Sequence, residues 1–207
     1  MAEIYKIGSD DIVDRVSTFG GTNLVTGSNT NDLNLNKWYH SNAVGGTTRI
    51  IEIENGVPCV KITRDTTEQS SWHYFHYDGL LSTKIETNTV YTVTFDLKPS
   101  VNGSISLSAF MNGNATNSLS KTVTTLQGTL VANQWNHIVM QTTTKDSFEE
   151  ITIGNQCVYM SLSASLRAVN TWTMMKNIKV EKGNKPTRWT PAPQDLVKIS
   201  GTELQFY

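Results

Sequence analysis

The sequence predicts an all-β protein built as a two-sheet antiparallel β-sandwich. Short runs with an apolar residue at every second position recur along the 207 residues, and clusters of Gly, Asn, Ser and Thr separate them. A helix signal is confined to one short segment, which begins at Ser9 as N-cap and stops at Gly20 and Gly21. After the last run, residues 172–180, come three prolines, which cannot donate backbone hydrogen bonds to a sheet. These observations favour stacked sheets over a helical or α/β architecture.

The strongest local signal is a hairpin at Asn55 and Gly56. Alternating runs lie on both sides of this pair, and Asn-Gly suits the two-residue turn that joins antiparallel strands. Val60 and Ile62 are therefore predicted to face the core. Upstream, residues 23–46 are rich in Asn, Gly, Thr and Ser, which predicts mostly loop with one early strand.

The middle of the chain continues the alternation. Residues 89–97 predict a strand with one face in the core. That face consists of Tyr91, Val93, Phe95 and Leu97. Residues 105–112 predict a strand of the same kind, whose face opposite to the core would carry Ser106, Ser108, Phe110 and Asn112. Further strands are predicted at residues 121–126, 135–142, 150–153 and 158–162.

The final strand is predicted to alternate strictly from residue 172 onward. One of its faces would hold Met174, Lys176, Ile178 and Val180. Beyond a turn, the prolines predict an extended segment that runs over the surface with Trp189 as its large apolar anchor. Trp135 is interpreted as structural in the same way, and Trp172 stays undecided.

One sandwich with an appendage at each end is the predicted domain organisation. Residues 1–22 form an N-terminal arm or short helix, residues 23–193 the sandwich, and residues 194–207 a C-terminal tail or linker. The apolar stripe of the arm would either pack on the sandwich or dock to a neighbouring subunit or to the virion, and the sequence leaves these alternatives open. The tail is apolar enough to add a last strand or to contact a second chain.

Composition excludes several classes of partner. The net charge is −1, and Lys and Arg are scattered without clusters, so nucleic acid is not expected. No apolar run approaches the length of a membrane span, and the first residues lack the pattern of a secretory signal. Cys59 and Cys157 lie in separate apolar runs, which favours buried free thiols and synthesis in a reducing cytoplasm.

Several stretches resemble a known family. The closing run IKVEKGNKPTRWTPAP follows, in the family's order, NLVTGSNTNDLNLNKW, VKITRDTTEQSSWHYF, YTVTFDLKPS and ANQWNHIVM. These stretches resemble carbohydrate-binding modules in tail and baseplate proteins of bacteriophages of Gram-positive bacteria. Such modules are related to the jelly-roll modules of families 4, 9 and 22. The resemblance covers residues 23–193.

The resemblance implies a jelly-roll strand order, which spacing alone does not separate from an immunoglobulin-like order. It also implies non-catalytic saccharide binding by a virion protein, with host cell-wall polysaccharide or a teichoic-acid glycan as ligand. The other implied partners are tail or baseplate proteins. A second copy of the chain is a further expected partner, because the apolar C-terminal tail could contact one. The protein would be made in the bacterial host cytoplasm and reside in the virion.

No motif in the sequence marks an enzyme. The glycine-rich nucleotide-binding patterns and the nucleophile elbow of serine hydrolases are missing, and no pair of acids stands out for glycoside hydrolysis. We therefore expect no catalysis. His73 and His76 would lie on opposite faces of a strand and cannot share a metal ion.

Aromatic residues supply the candidate binding site. Proteins bind neutral sugar by placing a ring against its C–H face and polar groups around its rim. In residues 71–77, Phe75 and Tyr77 are predicted to face the core. The opposite face then carries Trp72, Tyr74 and His76. Trp72 also resembles the tryptophan that contacts ligand in some related modules.

Phe110 is the second aromatic candidate, because it is a lone ring on a strand face that is otherwise polar. It would be either a binding platform or a residue covered by the loop near Trp38, and Trp38 itself is interpreted as core. Asn112 and Asp96 complete the predicted ligand-binding set as polar contributors.

No cofactor is required by the sequence. The related modules often hold a structural Ca²⁺, and the resemblance implies Glu181 as a late ligand, joined by Glu52 or Glu54. The alternative for Glu181 is an ordinary surface side chain.

Two other functions stay open at this point. The chain could be a structural decoration or assembly domain of a virion that binds no sugar. It could also be the binding arm of a larger glycoside hydrolase.

Overall fold

A computed structural model describes residues 21–27, 38–41, 47–65, 74–78, 85–112, 119–125, 128–148, 156–200 and 203–206. These parts are almost entirely β. The first six strands are β1 Trp38–Ser41, β2 Thr47–Glu54, β3 Val57–Arg64, β4 Tyr74–Asp78, β5 Val90–Pro99 and β6 Ile105–Asn112. The next six are β7 Ser120–Thr125, β8 Asn136–Thr144, β9 Gln156–Leu162, β10 Trp172–Lys182, β11 Val197–Ser200 and β12 Glu203–Phe206. Short 3₁₀ helices span Ala164–Arg167 and Pro193–Leu196.

The strands β1 to β10 form two antiparallel sheets. One sheet has the order β1-β4-β9-β6, and the other has the order β2-β3-β10-β5-β8-β7. Buried apolar side chains from both sheets make up one continuous cluster, which includes Val158 and Met160 of the first sheet and Val93 and Phe95 of the second. The predicted two-sheet antiparallel β-sandwich is therefore confirmed. The jelly-roll strand order stays a prediction.

Alternation in β5 agrees with the sequence. The residues predicted to face the core are buried, and these are Tyr91, Val93, Phe95 and Leu97. Burying one large apolar side chain stabilises a fold by about 1.5–3 kcal/mol. The face of a sheet that contacts the other sheet is called its inner face below, and the opposite face is its outer face.

The hairpin between β2 and β3 also agrees with the sequence. Asn55 and Gly56 have φ angles of 52° and 79°, the left-handed conformation that both central residues of a type I′ turn require. Glu54 pairs with Val57 across this turn. Val60, predicted to face the core, is fully buried.

In β10 the strict alternation predicted from the sequence is wrong. The pairing of β10 with β5 shifts between Lys176 and Lys179, and Asn177 at the shift has a φ of 56°. The shift is a β-bulge, in which one strand carries an extra residue. Before the bulge the odd-numbered residues of β10 lie on the inner face, and after it the even-numbered residues do. The buried residues of the inner face are accordingly Met175, Ile178 and Val180.

The register of β6 on β9 shifts as well, between Leu107 and Ala109. Before the shift, Ser106 pairs with Ser161, and after it Phe110 pairs with Val158, which is fully buried in the core. Directly opposed residues of antiparallel strands share a face. The predicted common face of Ser106 and Phe110 is therefore wrong, since the alternation was counted without a bulge.

Asn23 connects the beginning of the sandwich to its end. Its buried side-chain amide donates from Nδ2 to the carbonyl oxygens of Ile178 at 3.2 Å and Thr190 at 2.9 Å. Its Oδ1 accepts from the backbone N–H groups of Val25 at 3.0 Å and Val180 at 3.2 Å. One side chain thus serves four backbone groups.

Beyond residue 193 the chain adds a hairpin of its own. β11 pairs with β12 as a separate two-stranded sheet, and the carboxylate of Asp195 accepts from the N–H of Gly27 at 2.8 Å. The predicted short helix between Ser9 and Gly20 and the predicted strand at residues 150–153 lie outside the described residues. Within the described part, the structure contains no helix of the length and apolarity that a membrane span requires.

Candidate functional site

Tyr74 and His76 occupy the outer face of the four-stranded sheet. In β9 the buried residues of the inner face are Val158, Met160 and Leu162. The positions between them, residues 159 and 161, therefore belong to the outer face. Tyr74 pairs with Ser161 and His76 pairs with Tyr159. The register thus gives Tyr74 and His76 the face that the alternation predicts.

The register also aligns this outer face into two rows that cross the sheet. One row consists of Tyr39, His76, Tyr159 and Ala109. The second row consists of Ser41, Tyr74, Ser161 and Ser106. Neighbouring strands lie about 4.8 Å apart, so three ring-bearing positions of the first row span roughly 10 Å. Tyr39 and Tyr159 were not among the predicted ligand-binding residues, although both belong to strand-like runs.

The remaining predicted residues do not join this face. Phe110 and Asn112 pair with Val158 and Gln156, positions of the inner face. Trp72 lies outside the described residues. Asp96 belongs to β5 in the other sheet. Ligand binding by each of these residues stays a prediction.

Asp96 lies in an open cleft of about 830 Å³ on the outer face of the six-stranded sheet. Two side chains from the adjacent strands contact its carboxylate. Nδ1 of His137, on β8, is 2.8 Å from Oδ1, and Nδ2 of Asn177, on β10, donates to Oδ2 at 2.6 Å. The opposite wall is formed by residues 186–190, which begin the segment with the three prolines.

The bulge in β10 brings Asn177 into this cleft. Its φ of 56° is a left-handed conformation, which Asn tolerates better than most residues other than Gly. Sequence reasoning missed Asn177 and treated His137 as isolated. An asparagine in the interior of an otherwise strand-like run was the available signal, because Asn is depleted in strands and tolerates the left-handed conformation.

The wall of the cleft is fixed by a buried ion pair. Lys179 and Glu181 have side-chain exposures of 0% and 1%, and Nζ lies 3.3 Å from Oε2. The Glu181 carboxylate also accepts from the N–H of Thr187 at 2.8 Å and from its hydroxyl at 2.6 Å. Nζ of Lys179 donates to the carbonyl oxygen of Arg188 at 3.0 Å. Burial lowers the pKa of Lys179, and the charge of Glu181 opposes that shift.

Trp189 is the anchor that the sequence predicted. Its Nε1–H donates to the carbonyl oxygen of Ile178 at 3.0 Å, and its half-buried side chain lines the cleft. The indole therefore holds the segment down on β10 and also contributes to the wall of the cleft.

The described residues around Glu181 do not fit a calcium site. Ca²⁺ takes six to eight oxygen ligands, whereas both oxygens of Glu181 accept from Thr187 and one faces the ammonium group of Lys179. A Cβ atom at Gly21 would come within 2.0 Å of Oε2, so the packing there is close. In the described part of the chain, no group of three or more His, Cys, Asp and Glu could hold a metal ion.

Glu52 and Glu54, the other implied calcium ligands, are also paired with lysines. Glu52 contacts Lys61 at 2.6 Å, and Glu54 accepts a hydrogen bond from Lys98. They are therefore partners of other side chains rather than of Glu181.

Comparison with known proteins gives matches among solved structures. No family model and no curated protein matches the chain. The CBM22-1 and GH10 modules of endo-1,4-β-D-xylanase 10B from Clostridium thermocellum, complexed with xylohexaose, are similar with a TM-score of 0.52 and 13% identity. That match covers 80% of this chain and 29% of the xylanase chain. An arabinose-bound GH51 α-L-arabinofuranosidase is similar with a TM-score of 0.58 and 10% identity over 79% of this chain and 27% of the enzyme.

These two similarities show a shared fold. The chain spans less than a third of the length of either structure. The baseplate tripod of bacteriophage Tuc2009 matches with a TM-score of 0.45 and 16% identity, over 86% of this chain and 60% of that one. At that score the similarity carries no argument about this chain.

Cations stack on two tryptophans in the described structure. Nζ of Lys176 lies 4.1 Å from the centre of the Trp135 ring, and Nζ of Lys61 lies 5.1 Å from the centre of the Trp172 ring. Such contacts contribute about 0.5–1 kcal/mol each at exposed sites. They support a structural role for Trp135 and suggest the same role for Trp172.

Replacing Glu54 by Gln is expected to lower the free energy of unfolding by about 1 kcal/mol near neutral pH. The hydrogen bond from Lys98 holds the pKa of Glu54 below its usual value of 4.5. The folded protein therefore binds this proton more weakly than the unfolded chain, and the stabilisation is lost as pH falls from 4.5 through the lowered pKa. Urea unfolding measured at several pH values tests the prediction.

Over that pH range wild type should lose more stability than Glu54→Gln. Asp146→Asn is a suitable control, because Asp146 pairs with Lys121 and both side chains are more than half exposed. Equal losses in wild type and Glu54→Gln would contradict the prediction.

Proposed function

We propose that this chain is a non-catalytic carbohydrate-binding β-sandwich whose ligand lies across the outer face of the four-stranded sheet. The observation that carries the proposal is the register, which aligns Tyr39, His76 and Tyr159 in one row beside a second row containing Tyr74 and serines. Rings and hydroxyls at neighbouring positions are the groups that recognise the apolar faces and rims of sugars.

Such a surface binds weakly per site. One stacked ring that covers roughly 80 Å² of sugar contributes about 2 kcal/mol at ~25 cal/mol per Å², and each exposed hydrogen bond adds about 1 kcal/mol. After the costs of association, the dissociation constant of one site is on the order of micromolar to millimolar. Lasting attachment then requires many copies on one assembly.

The proposed setting is a tail or baseplate of a bacteriophage of Gram-positive bacteria, with host cell-wall polysaccharide as ligand. The sequence resemblance of residues 23–193 supports this setting, and a virion supplies the repeated copies. A net charge of −1 without basic clusters suits a neutral polysaccharide better than a polyanionic teichoic acid. Other virion proteins and a second copy of the chain are the proposed protein partners.

A second candidate is the binding module of a larger glycoside hydrolase. The specific observation in its favour is that the chain corresponds to 29% and 27% of two similar chains that belong to glycoside-cleaving enzymes. Incubating purified wall polysaccharide with the longest available form of the protein distinguishes the two functions. Release of reducing sugar would favour the enzyme module.

The combined change Tyr74→Ala and Tyr159→Ala is expected to raise the dissociation constant for host wall polysaccharide at least tenfold, because about 1.4 kcal/mol or more of ring contact is lost. Tyr74→Phe with Tyr159→Phe is the matched control, which keeps both rings and should change affinity less. Binding is measured by titrating immobilised wall polysaccharide.

Labelling of Gram-positive cells with a fluorescent fusion separates sugar binding from a purely structural virion role. A structural decoration would leave the cells unlabelled. An identical titration for wild type and the double Ala variant would move the ligand away from this face.

A further inference from the structure

We propose a second saccharide subsite in the cleft over the six-stranded sheet, one that takes a neutral, polyhydroxylated sugar residue. This inference rests on the proposed function, since both sites would bind sugar. The cleft is built from described side chains of three adjacent strands, namely Asp96, His137 and Asn177, and from residues 186–190.

The polar groups of the cleft are oriented to accept hydrogen bonds from hydroxyls. A carboxylate accepts, so Nδ1 of His137 donates its proton to Asp96, and in a neutral imidazole the other ring nitrogen, Nε2, is then the acceptor. Asn177 donates its amide N–H to Asp96, which leaves its carbonyl oxygen as an acceptor. Asp96 is thus a positioning residue that fixes both side chains, while His137, 63% exposed, remains accessible.

The opposite wall supplies the apolar surface and the donors. The indole of Trp189 is fixed by its bond to Ile178, and it lines the cleft together with Pro186. Arg188, which also lines the cleft and is exposed, carries a guanidinium group whose N–H groups can donate to a sugar oxygen. A ring, donors and acceptors around one opening are what a single sugar residue requires.

Charge in the cleft favours a neutral ligand. Asp96 and Arg188 contribute opposite charges, and the ion pair of Lys179 and Glu181 is buried. No surplus of cations is present among the described residues of the cleft to hold a polyanionic glycan.

The site is organised before ligand arrives. The bulge holds Asn177 at a positive φ, and conformations of this kind cluster at functional sites. Lys179 and Glu181 hold the facing wall through Thr187 and Arg188. A fixed site reduces the entropy lost on binding, which matters most for weak ligands.

A chain with two sugar sites would bind a polymer differently from a chain with one. The outer faces of stacked sheets lie on opposite sides of a sandwich, so one chain could hold two glycan strands, and binding to a polymer would gain by avidity.

The test follows backbone and indole N–H signals by two-dimensional ¹H–¹⁵N NMR during titration with xylohexaose, cellohexaose and the hexamer of N-acetylglucosamine to about 10 mM, a range that detects millimolar dissociation constants. The combined change Asn177→Gly and His137→Ala removes the acceptors, while Gly accommodates the positive φ. Asn88→Gly is the control, because Asn88 has a φ of 52° in a turn outside the cleft.

We expect at least one of these sugars to shift the signals of His137, Asn177 and the Trp189 indole. In the cleft variant, the dissociation constant measured at the Trp189 indole should rise about tenfold. Asn88→Gly should leave that constant unchanged, and the Tyr74 and Tyr159 double variant should keep the shifts of the cleft signals. Sugar shifts confined to β4 and β9 would overturn the second subsite and leave the proposed function intact. Shifts confined to the cleft would overturn the proposed location on the four-stranded sheet. No shift anywhere would overturn the second subsite, and it would overturn the proposed function as well if the titration of immobilised wall polysaccharide also shows no binding.

Discussion

Glu181→Ala should lower the free energy of unfolding by about 3–5 kcal/mol, the usual effect of removing one partner from a buried ion pair. The change leaves the ammonium group of Lys179 without its counter-charge at a site of 0% exposure. It also removes the acceptor for the N–H and hydroxyl of Thr187. Denaturant unfolding followed by circular dichroism measures the loss.

Two variants make this prediction specific to the buried pair. Lys121→Ala removes an exposed partner of Asp146 and should change stability by less than about 1 kcal/mol. The double change Lys179→Met with Glu181→Leu should recover the part of the loss that comes from the unpaired ammonium group, because apolar residues of similar volume often replace a buried pair without penalty. The part that comes from the Thr187 donors should remain. A loss below about 1 kcal/mol in Glu181→Ala would show that water reaches the site.

The same variants test the calcium that the resemblance implied. Since Lys179 neutralises Glu181, millimolar Ca²⁺ or a chelator should leave the unfolding midpoint of wild type unchanged. A midpoint that rises with Ca²⁺ in wild type but not in Glu181→Ala would restore Glu181 as a metal ligand.

Local signals were sufficient to predict the sandwich. The Asn55-Gly56 turn and the alternation from Tyr91 to Leu97 depend on the chemistry of neighbouring residues, and the structure reproduces both. Where no register shift interrupts a strand, the alternation of apolar residues and the type of turn determine the strand and its buried face.

Both errors in facing occur at register shifts. A bulge inserts one residue and exchanges the faces of all positions that follow, so counting by twos failed after Asn177 in β10 and after Leu107 in β6. A bulge depends on how the neighbouring strand pairs, which is a contact between residues far apart in sequence. For this reason the register assigns Phe110 to the inner face, whereas the sequence predicted the outer face.

In the candidate sites, too, residues of one strand were predicted from the sequence, whereas residues joined by strand pairing were missed. Tyr74 and His76 were found because they belong to one strand, whereas Tyr39 and Tyr159 join them only through pairing with other strands. The cleft combines Asp96, His137 and Asn177 from three strands, and their separation in sequence conceals it. Sequence patterns therefore identified single strands of each site but not the set.

Asn23→Ala is expected to lower the free energy of unfolding by about 3 kcal/mol. Four backbone groups lose a buried partner, namely two carbonyl oxygens and two N–H groups, and each unsatisfied buried group costs about 1–3 kcal/mol, with part of the sum relieved by rearrangement. Because Thr190 and Ile178 are among the partners, the change should also loosen the segment that carries Trp189. Urea unfolding measures the first effect, and hydrogen exchange of the Trp189 indole measures the second.

Asn136→Ala is a close control, since the Asn136 side chain also makes four hydrogen bonds to backbone, with Leu97, Gln134 and twice with Val131. Water can replace most of those bonds because three of them are exposed, so the expected loss is about 1 kcal/mol. The contrast isolates burial, as the number of bonds is the same. Similar losses in the two variants would mean that Asn23 is hydrated, and the connection between residue 23 and the end of β10 would then contribute little to holding the sandwich closed.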